Sequence, residues 1–275
     1  EMAYTYTHGY EEGFKIAGID LSRKRTVNIR YAIGQERMIK AAIRQFEKMG
    51  LTPVICRVPV SKIYKGSGYK GTAANKQYEY DHRMDEALFL DKAFVERKTS
   101  LLRNAYERRK VLAAEYAGPA VVEVFGENPF EPVNKQENLK LSEQQQKLSV
   151  TAASESAKIV NEYIPQSEYS FTIIAYPVPE IGENFEEIFA KIVEVNTLNN
   201  EVYKQVQQII IDELDKAVEV RVLGGGTNKT DMTVQMHDLE NPDKETNFEN
   251  CTADVNIPVG EVFTSPKLAG TKGTL

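Results

Sequence analysis

Residues 27–58 read VNIRYAIGQERMIKAAIRQFEKMGLTPVICRV, and this stretch decides the fold class. From Gln35 to Met49 the apolar residues Ile39, Ala42, Ile43, Phe46 and Met49 recur at spacings of three and four, which puts them on one face of a helix. Gly50 stands where a helix favours a left-handed terminator. Val27 to Ile33 supplies a strand before that helix. Pro53 opens the β-branched run Val54 to Val58, which predicts a buried strand with Cys56 as a small hydrophobe inside it.

The same alternation continues outward. Asp81 to Ala117 is rich in Leu, Ala, Glu, Lys and Arg with no Pro or Gly, so it predicts one long helix or two joined end to end, stopped by Gly118-Pro119. Ala120 to Phe125 is the next strand, followed by the loop Gly126 to Pro132. A helical region then spans Gln136 to Tyr163, a strand Ser170 to Tyr176, and a Pro-containing turn Pro177 to Gly182. Helices are expected over Asn184 to Leu198 and Glu201 to Lys216, the second with the stripe Val202, Val206, Ile209, Ile210, Glu213 and Leu214. Strand, helix, strand in succession is the pattern of right-handed crossovers, and it gives a mainly parallel sheet covered on both faces. The fold class is therefore α/β, a doubly wound domain over residues 1–217.

After Ala217 the texture changes. Val218 to Leu223 and Thr230 to Met236 alternate about Gly224-Gly225-Gly226, which predicts an antiparallel hairpin with one wet face and a β-rich unit over 218–275. No internal repeat or low-complexity segment interrupts the chain.

Bulk composition sets limits on function. With 41% hydrophobic and 27% charged residues the chain can bury a core and is not of the disordered class. A net charge of -6 argues against a surface built to neutralise phosphate backbones, so no nucleic-acid partner is expected. The basic triplets Arg23-Lys24-Arg25 and Arg108-Arg109-Lys110 read as solvated faces. Two cysteines, Cys56 and Cys251, make no disulfide framework. No apolar run reaches the roughly 18 residues that span a bilayer, and the N-terminus lacks the order of a signal peptide, so no membrane partner is expected and the chain reads as cytoplasmic.

Few residues announce chemistry by their spacing. His8, His82 and His237 are scattered and form no helical zinc-binding pair. Asp81, His82, Asp85 and Glu86 offer donors at i, i+4 spacing, although acids in a first helical turn serve equally to complement the macrodipole. The segment 61–80, with Lys62, Tyr64, Lys65, Gly66, Gly68, Tyr69, Lys70 and Gly71, could cradle an anion, but its glycines match no phosphate-binding fingerprint and an exposed loop is the plainer reading.

Asn247 to Pro266, NFENCTADVNIPVGEVFTSP, is the informative stretch, with Glu249, Asp254 and Glu261 set among Asn, Pro, Gly and Thr. It resembles the aminopeptidase T family of metallo-aminopeptidases, which includes aminopeptidase S and bacterial leucyl aminopeptidases, in its Asn-x-Pro segment leading into Glu-Val-Phe-Thr-x-Pro. GPAVVEVFGENPF at 118–130, SFTIIAYPVPEIG at 170–182 and TDMTVQM at 230–236 extend the resemblance over most of the chain. It implies release of N-terminal, leucine-type amino acids from peptides by two divalent ions of zinc, cobalt or manganese. It also implies that Glu261 is a metal ligand and that the enzyme is a homodimer.

In such enzymes the remaining ligands, two further Glu, two His and an Asp, lie farther towards the C-terminus than Leu275. Residue 1 is Glu rather than Met, and the chain stops at Leu275 without a capped helix or polar tail, so both ends read as cuts. Since a catalytic metal takes about three protein ligands, this chain alone is expected to bind metal weakly or not at all and to be inactive. Residues 218–275 then read as the truncated start of a metal-binding catalytic domain. Two other readings stay open on the residues themselves: a module holding a small anionic ligand at the crevice of the sheet, and an assembly domain using the helical region 81–117 as its contact surface.

Overall fold

The computed structural model describes residues 1–57, 75–126, 130–251, 256–257 and 261–275. A five-stranded parallel sheet is its frame, in the order β2-β1-β3-β4-β8, where β1 is Thr26–Tyr31, β2 Thr52–Arg57, β3 Tyr116–Phe125, β4 Thr172–Pro177 and β8 Asn256–Ile257. The chain runs from β1 to β2 in one direction along the sheet and then crosses back to β3 and β4. Right-handed crossovers in opposite directions place their helices on opposite faces, so the winding reverses between β1 and β3. The mixed α/β, doubly wound class read from the sequence is the observed one.

One face carries α1 (Met2–Ile16) and α2 (Glu36–Lys48). Tyr6, Tyr10 and Phe14 recur every four residues along α1 and are completely buried against Phe46 of α2 and Val27, Ile29, Ala120, Val122 and Ile174 of the sheet. The Tyr10 hydroxyl donates to the Gly118 carbonyl at 3.1 Å, tying α1 to the central strand. A smaller cluster of Leu90, Val95 and Ala152 joins α4 (Lys92–Arg108) to α6 (Glu143–Tyr163). Ser142 caps α6 in a reciprocal box with Gln145, which is why that helix begins there and not at Gln136.

Four expectations need correction. The region 81–117 is not one helix: α3 (Lys76–Asp81), a 3₁₀ turn at Asp85–Leu88, α4 and the short α5 (Lys110–Ala114) divide it, and β3 has begun by Tyr116. Gly118 and Pro119 lie inside that strand. The register steps from Thr26↔Tyr116 to Val27↔Gly118, so Ala117 is the extra, bulged residue, and Gly118 and Pro119 then pair in step with Val27 and Asn28. Next, β2 is not buried, because among the described residues it lies at the sheet's edge; Val54 and Ile55 are 51% and 44% exposed, and Cys56 is exposed too.

The third correction is Lys24. It is buried rather than solvated, its ammonium donating to the Ala114 carbonyl at 3.0 Å and pairing with Glu168 at 3.4 Å. The fourth concerns α7 (Phe185–Val195) and α8 (Asn200–Leu214): on α8 the predicted stripe of Val202, Val206, Ile209 and Ile210 faces out, and Gln207 and Ile211 face in.

Beyond α8, β5 (Glu219–Leu223) and β6 (Asp231–Gln235) form the expected hairpin, extended by β10 (Lys267–Thr274) into an antiparallel three-stranded sheet. Between them lies a two-stranded antiparallel unit, β7 (Phe248–Cys251) with β9 (Glu261–Thr264). No helix among the described residues is long and apolar enough to cross a membrane.

Candidate functional site

The β7–β9 pair carries the Glu-Val-Phe-Thr segment, and its register fixes which way each residue looks. Phe248 stands opposite Thr264, Glu249 opposite Phe263, Asn250 opposite Val262 and Cys251 opposite Glu261. Side chains alternate along a strand, so Glu249, Glu261 and Phe263 share one face. All three are exposed. The other face is closed: Phe248 is buried with Ile211 of α8 and Met236, and Val220, Val234, Val262 and Leu214 pack around them. One face of this short pair is thus sealed and apolar, and the other carries the exposed acids.

Helix α8 reaches the unit through one buried polar side chain. Gln207, 4% exposed, donates from Nε2 to the backbone carbonyl of Glu261 at 3.4 Å and accepts at Oε1 from the Asn250 amide at 3.2 Å. The sequence reading passed over Gln207. The signal was present, since Tyr203, Gln207, Ile211 and Leu214 recur at helical spacing, but the stripe of larger aliphatic residues around the helix outweighed it.

On the outer face a cleft of about 350 Å³ opens beside Glu249 and Phe263 and extends to His237 and Asp238. A larger cleft of about 710 Å³ lies between the end of α1, α8 and residues 242–250. Three of its acids serve the fold: Asp215 accepts from the Asn247 amide at 2.8 Å, Asp212 from Gln208 at 2.7 Å and Glu245 from the Asn241 amide at 3.0 Å, and Glu249 borders both clefts. The smaller cleft, which Phe263 and Thr264 of the Glu-Val-Phe-Thr strand line and Glu261 does not, is the candidate site.

The other sequence candidates resolve as structure. His82 Nδ1 lies 2.9 Å from Asp85, one turn along, and Glu86 is buried beside the Ser149 hydroxyl at 3.2 Å. Asp81 is engaged by Lys135, Gln77 and Asn138, and Lys135 foremost holds its carboxyl below the usual carboxylate range. His8 stacks on Tyr4 in α1, far along the chain from His82 and His237. Residues 61–74 of the Gly/Lys/Tyr segment, 127–129 of the loop after β3, and Asp254 lie outside the described residues.

The metal that the motif implies can be tested against the donors present. Glu261 is an exposed carboxylate with a second one, Glu249, on the same face, and hard oxygen donors of this kind suit one arm of a divalent-ion site. Among the described residues no three His, Cys, Asp or Glu come together as a metal-holding group.

No protein-family profile matches the chain, and no curated protein sequence does. Solved structures that resemble it include wild-type AmpT from Thermus thermophilus, with 14% identity and a TM-score of 0.46 over 94% of this chain and 64% of that one. The chain thus spans less than two thirds of that protein's length.

Proposed function

We propose that this chain is the α/β portion of a metal-dependent aminopeptidase that releases leucine-type N-terminal residues from peptides, with Glu261 as one ligand of a pair of divalent ions. The observation that carries this reading is the placement of Asn256–Ile257 and of the Glu261–Thr264 strand. Asn256 and Ile257 pair in parallel with Ile173 and Ile174 of β4, so the chain leaves this edge strand heading for the carboxyl end of the sheet. Open α/β sheets set their ligands at that end. Four residues after Ile257 the chain begins β9 with an exposed Glu261.

In this reading Glu261 ligates a divalent ion, and Glu249 and Phe263 line the cleft in which a substrate's N-terminal residue sits. The ions supply a Lewis acid for the peptide carbonyl and an activated water. The Glu-Val-Phe-Thr strand contributes position: its sealed face holds the ligand carboxylate on a rigid element rather than on a loop. A homodimer and peptide substrates belong to the same proposal.

The test uses the full-length protein. Hydrolysis of leucine p-nitroanilide should be abolished by a chelator and restored by zinc, cobalt or manganese, and Glu261→Gln should lower it by at least about 100-fold, as loss of a catalytic metal ligand does. Hydrolysis that survives chelation, or a Glu261→Gln protein of undiminished activity, overturns the reading.

A further inference from the structure

Gln207 is an unusual residue to find where it is. It sits on the inward face of α8 between Tyr203 and Ile211, next to a cluster formed by Ile211, Met236 and Phe248, and is 4% exposed. A buried amide in such surroundings costs free energy unless it is hydrogen-bonded, and an aliphatic residue of the same size would pack there without that cost. The bonds it makes are specific. Its Oε1 accepts from Asn250 on β7, and its Nε2 donates to the main-chain carbonyl of Glu261 on β9.

One side chain therefore grips both strands, and on β9 it grips the residue whose carboxylate stands on the open face. The contact runs through the backbone carbonyl, so it fixes where the Glu261 Cα lies relative to α8. A metal ligand must be held within about 0.5 Å of its working position by groups that do not themselves touch the ion. We propose that Gln207 is a positioning residue for Glu261: it anchors the first residue of the Glu-Val-Phe-Thr strand to α8 and so sets the place of the ligand carboxylate. This rests on the reading of Glu261 given above.

Two measurements on the full-length protein test it, one of them free of metal. In hydrogen exchange, Gln207→Met, which keeps the volume and removes the bonds to Asn250 and Glu261, should speed exchange of the β9 amides by about three- to tenfold, the range one hydrogen bond provides. Amides of the β5–β6 hairpin should be unchanged. In titrations with Co²⁺ alone, followed by its visible spectrum, Gln207→Met should weaken binding by about tenfold, the lower end of what loss of an orienting partner costs. Asn250→Ala removes the bond to β7 and keeps the bond to Glu261, so it should leave Co²⁺ affinity within about twofold. If Gln207→Met does not fold, Gln207→Leu serves in its place.

Equal Co²⁺ affinities for Gln207→Met and wild type, in a protein where Glu261→Gln weakens binding, overturn the positioning role and leave the functional reading intact. So does an equal loss in Gln207→Met and Asn250→Ala, which marks general loosening. Unchanged Co²⁺ binding in Glu261→Gln itself overturns both.

Discussion

Substituting Gly118 by Ala probes the centre of the fold. Gly118 lies in β3, next to β1, at a backbone φ of +113°, a conformation that side chains rarely adopt. A Cβ added there falls 1.8 Å from the Ser170 carbonyl oxygen, which is main chain and cannot swing aside. Ser170 is itself held, its amide donating to the Ala117 carbonyl at 3.1 Å, and the Gly118 carbonyl receives the buried Tyr10 hydroxyl.

Relief of the clash must displace either β3 or the segment entering β4. The strained φ costs about 1–3 kcal/mol, and a broken buried hydrogen bond adds about 1–3 kcal/mol, so Gly118→Ala should lose about 3 kcal/mol or more. That is a large part of the roughly 5–15 kcal/mol of a typical domain and corresponds to a fall in Tm of about 6–12 °C. Urea unfolding followed by circular dichroism measures it, with Gly225→Ala as control, since a Cβ at Gly225 meets nothing within 4 Å. A Gly118→Ala protein within about 1 kcal/mol of wild type refutes the close approach of Gly118 to Ser170 as a fixed feature of the sheet.

Three further outcomes follow from the packing and charges. Phe46→Ala removes a ring that is completely buried against Tyr6 and Tyr10 and should cost about 3–5 kcal/mol by urea unfolding. Ile209→Ser on the open face of α8 should stay within about 0.5 kcal/mol, whereas Ile211→Ser on its inner face should lose about 2–4 kcal/mol, and similar values for the two contradict the observed orientation of the helix. Lys135 holds the Asp81 carboxyl below its ordinary value, so the pair stabilises above the unfolded carboxylate range near pH 4 and loses that contribution as pH falls through the depressed folded value. Lys135→Met should therefore lower Tm at about pH 6 and match wild type at about pH 2; a difference that grows towards acid contradicts the assignment.

The sheet was legible because its helices and strands announce themselves by local period. Gln35 to Met49 has one apolar face and a glycine stop, and α2 ends one residue short of Met49. What local period could not supply is which strand lies at an edge. Val54 to Val58 is apolar enough for the middle of a sheet, and β2 is nevertheless outermost, because order along a sheet is set by crossovers between distant segments. The break-up of 81–117 was hidden for a different reason. Asp91 caps α4 with its side chain, and that cap starts a new element inside a stretch whose composition is uniformly helical.

The site was legible only as far as its motif. Glu261 stands out by resemblance, and what decides whether its carboxylate is usable is the alternation of β9 against β7 and α8, which joins residues 207, 250 and 261 from three elements. Helix α8 shows why such a junction escapes a one-dimensional reading. Its larger aliphatic stripe faces out and its inner stripe contains a glutamine, so hydrophobicity alone selects the wrong side. The glutamine is tolerated inside because the strands offer it an amide and a carbonyl at hydrogen-bonding distance, and those partners exist only once β7 and β9 are paired. Helix orientation and strand register thus depend on each other. A substitution at Gln207 should accordingly be felt at Glu261 before it is felt in the parallel sheet.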